Sequence, residues 1–205
     1  MEASRAPRTD LVRMELMADY RDEKRLIAGL RAGEREAFER LLDLYQDMVH
    51  GMVRRMVGEP DAEDVAQDAL VEVCNSVTSF QGRAKLATWV YRVVMNVCLE
   101  HRRKRRLETL PIEDSLLETL AGPEPEPSSA AMRNEDRQTV NAAIDSLPEI
   151  HRDVVVLHEL QGLTYNECAE VLGCPVGTVK SRLSNAFRAL RESLREYASE
   201  GGIAL

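Results

Sequence analysis

Aromatic residues are scarce in this chain of 205 amino acids, at 4%, so its cores must be built from leucine, valine, alanine and methionine. Cysteine is confined to Cys74, Cys98, Cys168 and Cys174. No two of them form a CxxC pair, and no histidine stands at zinc-site spacing from Cys168 and Cys174, which argues against a metal centre and against a disulfide framework. They read instead as small buried hydrophobes in a reducing compartment. No apolar run approaches the ~20 residues of a membrane span, and the amino-terminus has no signal-peptide apolar core. The expectation is a cytoplasmic protein with no membrane insertion of its own. A Gly-rich phosphate loop, an HExxH pair and a convincing Ser/His/Asp or Cys/His arrangement are all missing. His50, His101, His151 and His158 stand outside any catalytic context. The chain therefore reads as a non-enzyme, with no catalytic residue, no cofactor and no metal.

What is present is charge, and it is segregated. Charged residues make up 30% and the formal net charge is -8, which taken alone would speak against a nucleic-acid partner. Along the chain the picture differs. Glu59 to Glu72 holds Glu59, Asp61, Glu63, Asp64, Asp68 and Glu72 with no Lys or Arg. His101 to Arg106 reads HRRKRR. Leu107 to Asp136 carries eight acids against Arg133 alone, and Pro175 to Arg195 carries Lys180, Arg182, Arg188, Arg191 and Arg195 against Glu192 alone. Two basic blocks between acidic ones suggest two anion-binding surfaces, and a separate partner for the acidic ones.

Periodicity gives helices throughout. Residues 1–22 are polar and mixed in charge, and read as a flexible tail. Ala37, Phe38, Leu41, Leu42, Tyr45, Met48, Val49, Met52, Val53 and Met56 recur in steps of three and four as one apolar stripe, stopped by Gly58 and Pro60. Asp61 is expected to cap the next helix, which buries Val65, Ala69, Leu70, Val73 and Val77 and turns Asp61, Asp64, Asp68 and Glu72 outward. Ser79 to Lys85 reads as a loop. A third helix, from about Leu86 to Arg106, points Ala87, Val90, Val93, Val94 and Val97 inward. Residues 107–133, with GPEPEPSS at Gly122 to Ser129, form an acidic Pro-rich linker. A second domain is expected at 134–197, with a tail at 198–205. Its helices are marked by Val140, Ala143, Ile144 and Leu147, then by Val154, Val155, Leu157, His158 and Leu160. Thr164 and Glu167 fit a capping box, Gly173-Cys174-Pro175 a turn, and Val176 to about Tyr197 a final helix. Two helices joined by a tight Gly-containing turn make a helix-turn-helix.

An ordinary helical hairpin would put no particular charge on its second helix. Here that helix is short of acids, and its early turns carry Thr178, Lys180, Ser181 and Arg182, whose hydroxyls and cations suit base edges and phosphates. HRRKRR alone is weak, since cations suit any helix carboxyl-terminus. It gains weight from SFQGRAKLATWVYRVVMN before it, where Phe80, Trp89 and Tyr91 stand among Arg92 and Asn96 as aromatics and cations do around unstacked bases. Core packing is the competing reading for both Trp89 and Tyr91, and the stronger one for Trp89. The acidic stripe is either a solvated face or a site for a basic partner, and it is not meant for DNA.

The order of these parts carries a resemblance. DAEDVAQDAL, then FQGRAKLATWVYRVVMNVCLEHRRKRR, then an acidic Pro-rich linker, then LPEIHRDVVVLHELQGLTYNECAEVLGCPVGTVKSRL resembles the sigma-70 family, in particular its extracytoplasmic-function (group IV) members, over roughly residues 23 to 197. The resemblance implies an all-α fold of two small helical domains: a sigma-2 bundle at 23–106 and a sigma-4 helix-turn-helix domain at 134–197. It implies a transcription initiation factor that binds core RNA polymerase, through the beta-prime clamp and the beta subunit, and promoter DNA, usually under an anti-sigma factor. Asp61, Asp64, Gln67 and Asp68 would dock on the clamp. Phe80, Arg83 and Lys85 would belong to a loop capturing a flipped base of the -10 element, with Arg92, Val93, Asn96, His101, Arg102 and Arg103 beside it. Flipping costs roughly 2 to 4 kcal/mol, which stacking must offset. Thr178, Lys180, Ser181, Arg182, Asn185 and Arg188 would read the -35 element.

Two features depart from the family's pattern. Many relatives carry Arg-Ala-Arg after SRL, where this chain has Ser184-Asn185-Ala186-Phe187-Arg188; Asn185 suits adenine rather than phosphate, and Phe187 loses a phosphate contact or joins the core. The tail of about 22 residues is the other. A free-standing helix-turn-helix regulator would account for 134–197 alone and leave the acidic and basic-aromatic helices without work. A protein-binding decoy would survive charge reversal at Lys180 and Arg182, which a promoter reader would not.

Overall fold

A computed structural model describes residues 20–108 and 138–195. The expected carboxyl-terminal tail, residues 1–19 of the expected amino-terminal tail and nearly all of the expected linker lie outside them, while residues 20–22, expected in the flexible tail, are helical. Among the described residues the secondary structure is helical, without strands.

The first domain begins with α1 (Tyr20–Ala32) and α2 (Arg35–Val57). Gly33 turns the chain between them with φ +76°, a conformation open to glycine at little cost. The two helices approach closely at Gly29, where a Cβ would lie 2.9 Å from that of Ala37. The stripe on α2 is buried as its spacing predicts, through Leu41, Tyr45, Val49, Met52, Val53 and Met56. Each large side chain so buried contributes roughly 1.5–3 kcal/mol. Gly58, with φ +87°, closes α2 and at once opens α3 (Glu59–Ser76), with Pro60 in its first turn.

This corrects the expected cap. Asp61 lies inside α3, and no side chain caps that helix. Ala62, Val65, Ala66, Ala69 and Val73 face inward, small enough to let α3 lie close on α2. A short 3-10 turn (Val77–Ser79) leads to the loop before α4 (Leu86–Glu108).

In the second domain, α5 covers residues 138–145. Next, α6 (Glu149–Val155) runs on as a wider π turn over Val156–Leu160. The expected capping box is present at the start of α7 (Tyr165–Leu172): the Glu167 amide donates to Thr164 Oγ1, and Glu167 accepts from the Thr164 amide. Gly173 closes α7 in the left-handed conformation, at φ 60° and ψ 34°. After Pro175 comes α8 (Val176–Ser193), with Val179, Leu183 and Ala186 buried.

The two domains pack on each other, and α4 is the reason. Val90 and Val94 make one buried stripe, the one its periodicity predicts. Tyr91, Met95 and Cys98 make a second, about 100° round the helix, and they too are buried. Tyr91 and Arg102 at the ends of that second face reach the second domain: Tyr91 Oη donates to Gln161 at 3.2 Å, and Arg102 to Asp153. A helix apolar on two sides is one buried between neighbours.

Candidate nucleic-acid interface

A groove on the first domain runs between α3 and α4, with a volume of about 580 Å³. Trp89, Arg92, Val93, Asn96 and His101 line its α4 side, and Asp68 and Glu72 its α3 side. Helical spacing does this, since residues 89, 92, 93 and 96 share one face of α4. Arg92 and Asn96 are exposed and Val93 half-buried. Trp89 is buried and packs against Phe80, ring centroids 5.5 Å apart. The groove thus offers amide, guanidinium and carboxylate groups around an apolar floor. Its acids repel phosphate, while the mixture suits the donor and acceptor edge of a base.

The loop from Phe80 to Lys85 divides. Phe80 is only 3% exposed, so it anchors the loop from within and offers no ring face for a base to stack on, contrary to the sequence expectation. Its carbonyl accepts from Arg31 Nη2 at 2.6 Å. Arg83 points to solvent. Lys85 pairs with Glu167 of the second domain at 3.0 Å. Glu23 of α1 accepts from the Leu86 amide at 3.0 Å, satisfying a donor that the start of α4 would otherwise leave open.

The basic run at the end of α4 is partly consumed by internal acids. His101 and Arg105 both meet Asp61, at 3.1 and 2.7 Å. Asp61 is therefore neutralised within the domain, unlike Asp64, Gln67 and Asp68, which are exposed on α3. Gln67 reaches Glu63 at 3.4 Å. Arg103 is exposed. Arg102 is not: its side chain is 9% exposed, against 7% for Asp153. Its guanidinium donates to both Asp153 oxygens, at 2.8 and 3.2 Å, and to the Met56 carbonyl at 2.9 Å. Burial disfavours both charges. Asp153 holds Arg102 firmly protonated all the same, whereas burial pushes the Asp153 carboxyl up despite the guanidinium beside it.

On the second domain, Ser181, Asn185 and Arg188 follow one another along α8, opposite the buried stripe, and all are exposed. Ser181 Oγ donates to the Thr178 carbonyl at 3.0 Å. Lys180 sits 5.6 Å over the ring of Tyr165, which stacks on His158 with centroids 4.5 Å apart. Thr178 and Arg182 are half-buried on the flanks. Phe187 is 43% exposed, so it is a surface residue of α8 and not part of the core. Among the cysteines, Cys98 and Cys168 are buried, and burial pushes each thiol up to about 12, far from a reactive thiolate.

Two family models match these same parts. Residues 41–108 match sigma-70 region 2 and residues 137–190 match sigma-70 region 4. The RNA polymerase sigma-H factor of Pseudomonas aeruginosa is 31% identical over 192 residues, covering 90% of this chain and all of the relative. The extracytoplasmic-function RNA polymerase sigma-E factor of Escherichia coli is 34% identical over 185 residues, covering 85% of this chain and 95% of the relative. The chain belongs to the sigma-70 family. Its place is among the extracytoplasmic-function sigma factors, a family of transcription initiation factors rather than enzymes. A solved sigma factor, RpoE of Bartonella quintana in complex with the anti-sigma factor NepR, is similar with a TM-score of 0.64 and 26% identity, covering 77% of this chain and 96% of that one.

What sequence reasoning missed in this sigma factor is the interdomain set: Tyr91, Asp153, Gln161 and the pairing of Glu167 with Lys85. Asp153 was the available signal, an acid set directly before the apolar run Val154 to Leu157, where an unpaired charge would be costly.

Proposed function

We propose that this sigma factor binds core RNA polymerase through the exposed acids of α3, reads an unpaired base of the -10 element in the α3–α4 groove, and reads the -35 element with α8. The observation that carries the reading is the groove itself, which gathers Arg92, Val93, Asn96 and His101 over Trp89. Base-edge donors and acceptors above an apolar floor are what an extruded base requires. Arg83 and Arg103, both exposed, serve as phosphate contacts in this reading. Asp64, Gln67 and Asp68 face outward on α3 without a cation on that helix, which suits a basic protein partner and not DNA. On α8, Ser181, Asn185 and Arg188 are the base-reading row, with Thr178, Lys180 and Arg182 beside it. An anti-sigma factor is the natural third partner, as one is for the relative from Bartonella quintana.

The test is run-off transcription with sigma-free bacterial core polymerase on the promoter region of the chain's own gene. Transcripts from one start site, only when the protein is added, are expected. Asp64→Lys with Asp68→Lys should abolish core binding and transcription together. Absence of both transcript and core binding for the unmodified chain would sink the reading and favour a free-standing DNA-binding regulator.

A further inference from the structure

The loop that carries Arg83 and Lys85 is held at both ends by α1. Phe80 before it is 3% exposed and Leu86 after it 1%, while Gln81, Gly82, Arg83 and Lys85 between them are exposed. Arg31 donates from Nη2 to the Phe80 carbonyl at 2.6 Å, and Glu23 accepts from the Leu86 amide at 3.0 Å. That amide is one of the open donors at the start of α4, and a carboxylate there also meets the positive end of the helix dipole. Glu23 thus caps α4 from a different helix. Glu23 and Arg31 lie roughly 12 Å apart along α1, at about 1.5 Å per residue. The helix is itself firmly seated, with Leu26 and Leu30 buried and Gly29 set close against Ala37. At the base of the loop Phe80 packs on Trp89, on the floor of the α3–α4 groove.

We infer that α1 is a clamp that pre-organises the loop at 80–85 for capture of the extruded -10 base, with Glu23 and Arg31 as positioning residues that touch no DNA. A loop free at either end has to be ordered when the base arrives, and that ordering weakens the capture. With both ends fixed beforehand, the ordering is already done. Releasing either end frees the same arc of chain, so the two residues act as one device and the losses on removing them are less than additive. The inference deepens the proposed -10 reading and rests on it for the role of the loop.

Glu23→Ala and Arg31→Ala release one end each, and Glu23→Gln and Arg31→Lys are the conservative controls. In the free full-length chain, followed by NMR, the Leu86 amide should exchange about fivefold faster in Glu23→Ala, as for one lost hydrogen bond. Glu23→Gln should recover most of that protection. Unchanged exchange overturns the clamp, whatever polymerase does. In holoenzyme formed with core polymerase, single abasic sites are then placed across the non-template strand of the -10 element of the chain's own promoter. The position that costs the unmodified protein most marks the captured base. On the intact promoter each alanine variant should form open complexes at least about fivefold more slowly, with core binding unchanged and both conservative variants close to the unmodified rate. On the abasic template the alanine variants and the unmodified protein should be alike, because a pre-organised loop gains nothing where there is no base to hold. An equal loss on both templates reports general stability and overturns the inference, as does an unchanged rate in both alanine variants. Should Glu23→Ala lose its helical circular dichroism, Arg31→Ala carries the same comparison through an exposed side chain. If no abasic position slows the unmodified holoenzyme, base capture falls, and the inferred role of α1 with it. If the unmodified chain binds no core polymerase, the sigma reading falls, while Leu86 exchange still decides whether Glu23 holds the loop.

Discussion

Thr164 and Glu167 show how much one pair of side chains can settle. Their reciprocal hydrogen bonds start the helix-turn-helix, and Thr164→Ala should cost about 1 kcal/mol, read as a lower urea midpoint. Burial works to raise the Glu167 carboxyl, but the hydrogen bonds from Thr164 and the pairing with Lys85 outweigh it and hold the carboxyl below the usual carboxylate range. A carboxylate whose pKa is depressed on folding adds stability that is fully present above its unfolded pKa and is lost as pH falls through the folded one. The urea midpoint of the unmodified chain should therefore fall on acidification below the ordinary glutamate range. Thr164→Ala should show a smaller drop there, because part of the depression is gone with the hydroxyl and the geometry it fixed. This motif was legible in the sequence because both partners sit within one turn. Asp61 was misread for the opposite reason: its partners, His101 and Arg105, are some forty residues away, and position before an apolar run looks the same for a cap as for a buried-edge acid.

At the scale of elements, steps of three and four residues located the helices from α2 onward but not α1 (Tyr20–Ala32), and Gly58, Gly162 and Gly173 marked helix ends. Close approach between elements is not written in periodicity. Gly29 sits where α1 meets α2, and any Cβ there would strike Ala37 and the end of Glu34. Gly29→Val should destabilise the first domain by roughly 1–3 kcal/mol through overpacking, measured by chemical denaturation. Periodicity also could not assign the face of α8 on which Phe187 lies, since an apolar side chain at a helix edge is compatible with core and surface alike. Its exposure turns it into a handle on DNA binding. Phe187→Arg adds one cation beside Lys180 and Arg191 on that helix. Affinity for duplex carrying the -35 element should rise at low salt, and the dependence of log K on log salt should steepen by about one phosphate equivalent. An unchanged slope would remove this edge of α8 from the DNA contact.

The whole molecule is where sequence reading fell furthest short. Composition, segregated charge and motif order pointed to two helical domains and their partners. Nothing in the order of the residues said that the domains would meet, because the contacts join residues 43 to 86 positions apart. The second buried face of α4 is visible in hindsight as Tyr91, Met95 and Cys98, but a stripe that seals an interface looks the same as one that fills a core. The same limit explains Phe80 and Arg102, whose chemistry fits a DNA surface and whose surroundings here are protein.

Glu167 belongs to two structures at once, completing the first turn of α7 and receiving Lys85 across the domain seam. Such sharing makes local fraying and domain separation energetically linked, and linkage of this kind is reciprocal. Whatever draws Lys85 away leaves the turn held by fewer contacts, and whatever loosens the turn weakens the seam by the same factor. Hydrogen exchange at the Glu167 and Cys168 amides, the first of α7 to be held by Thr164, would then register the parting of domains whose bulk lies elsewhere.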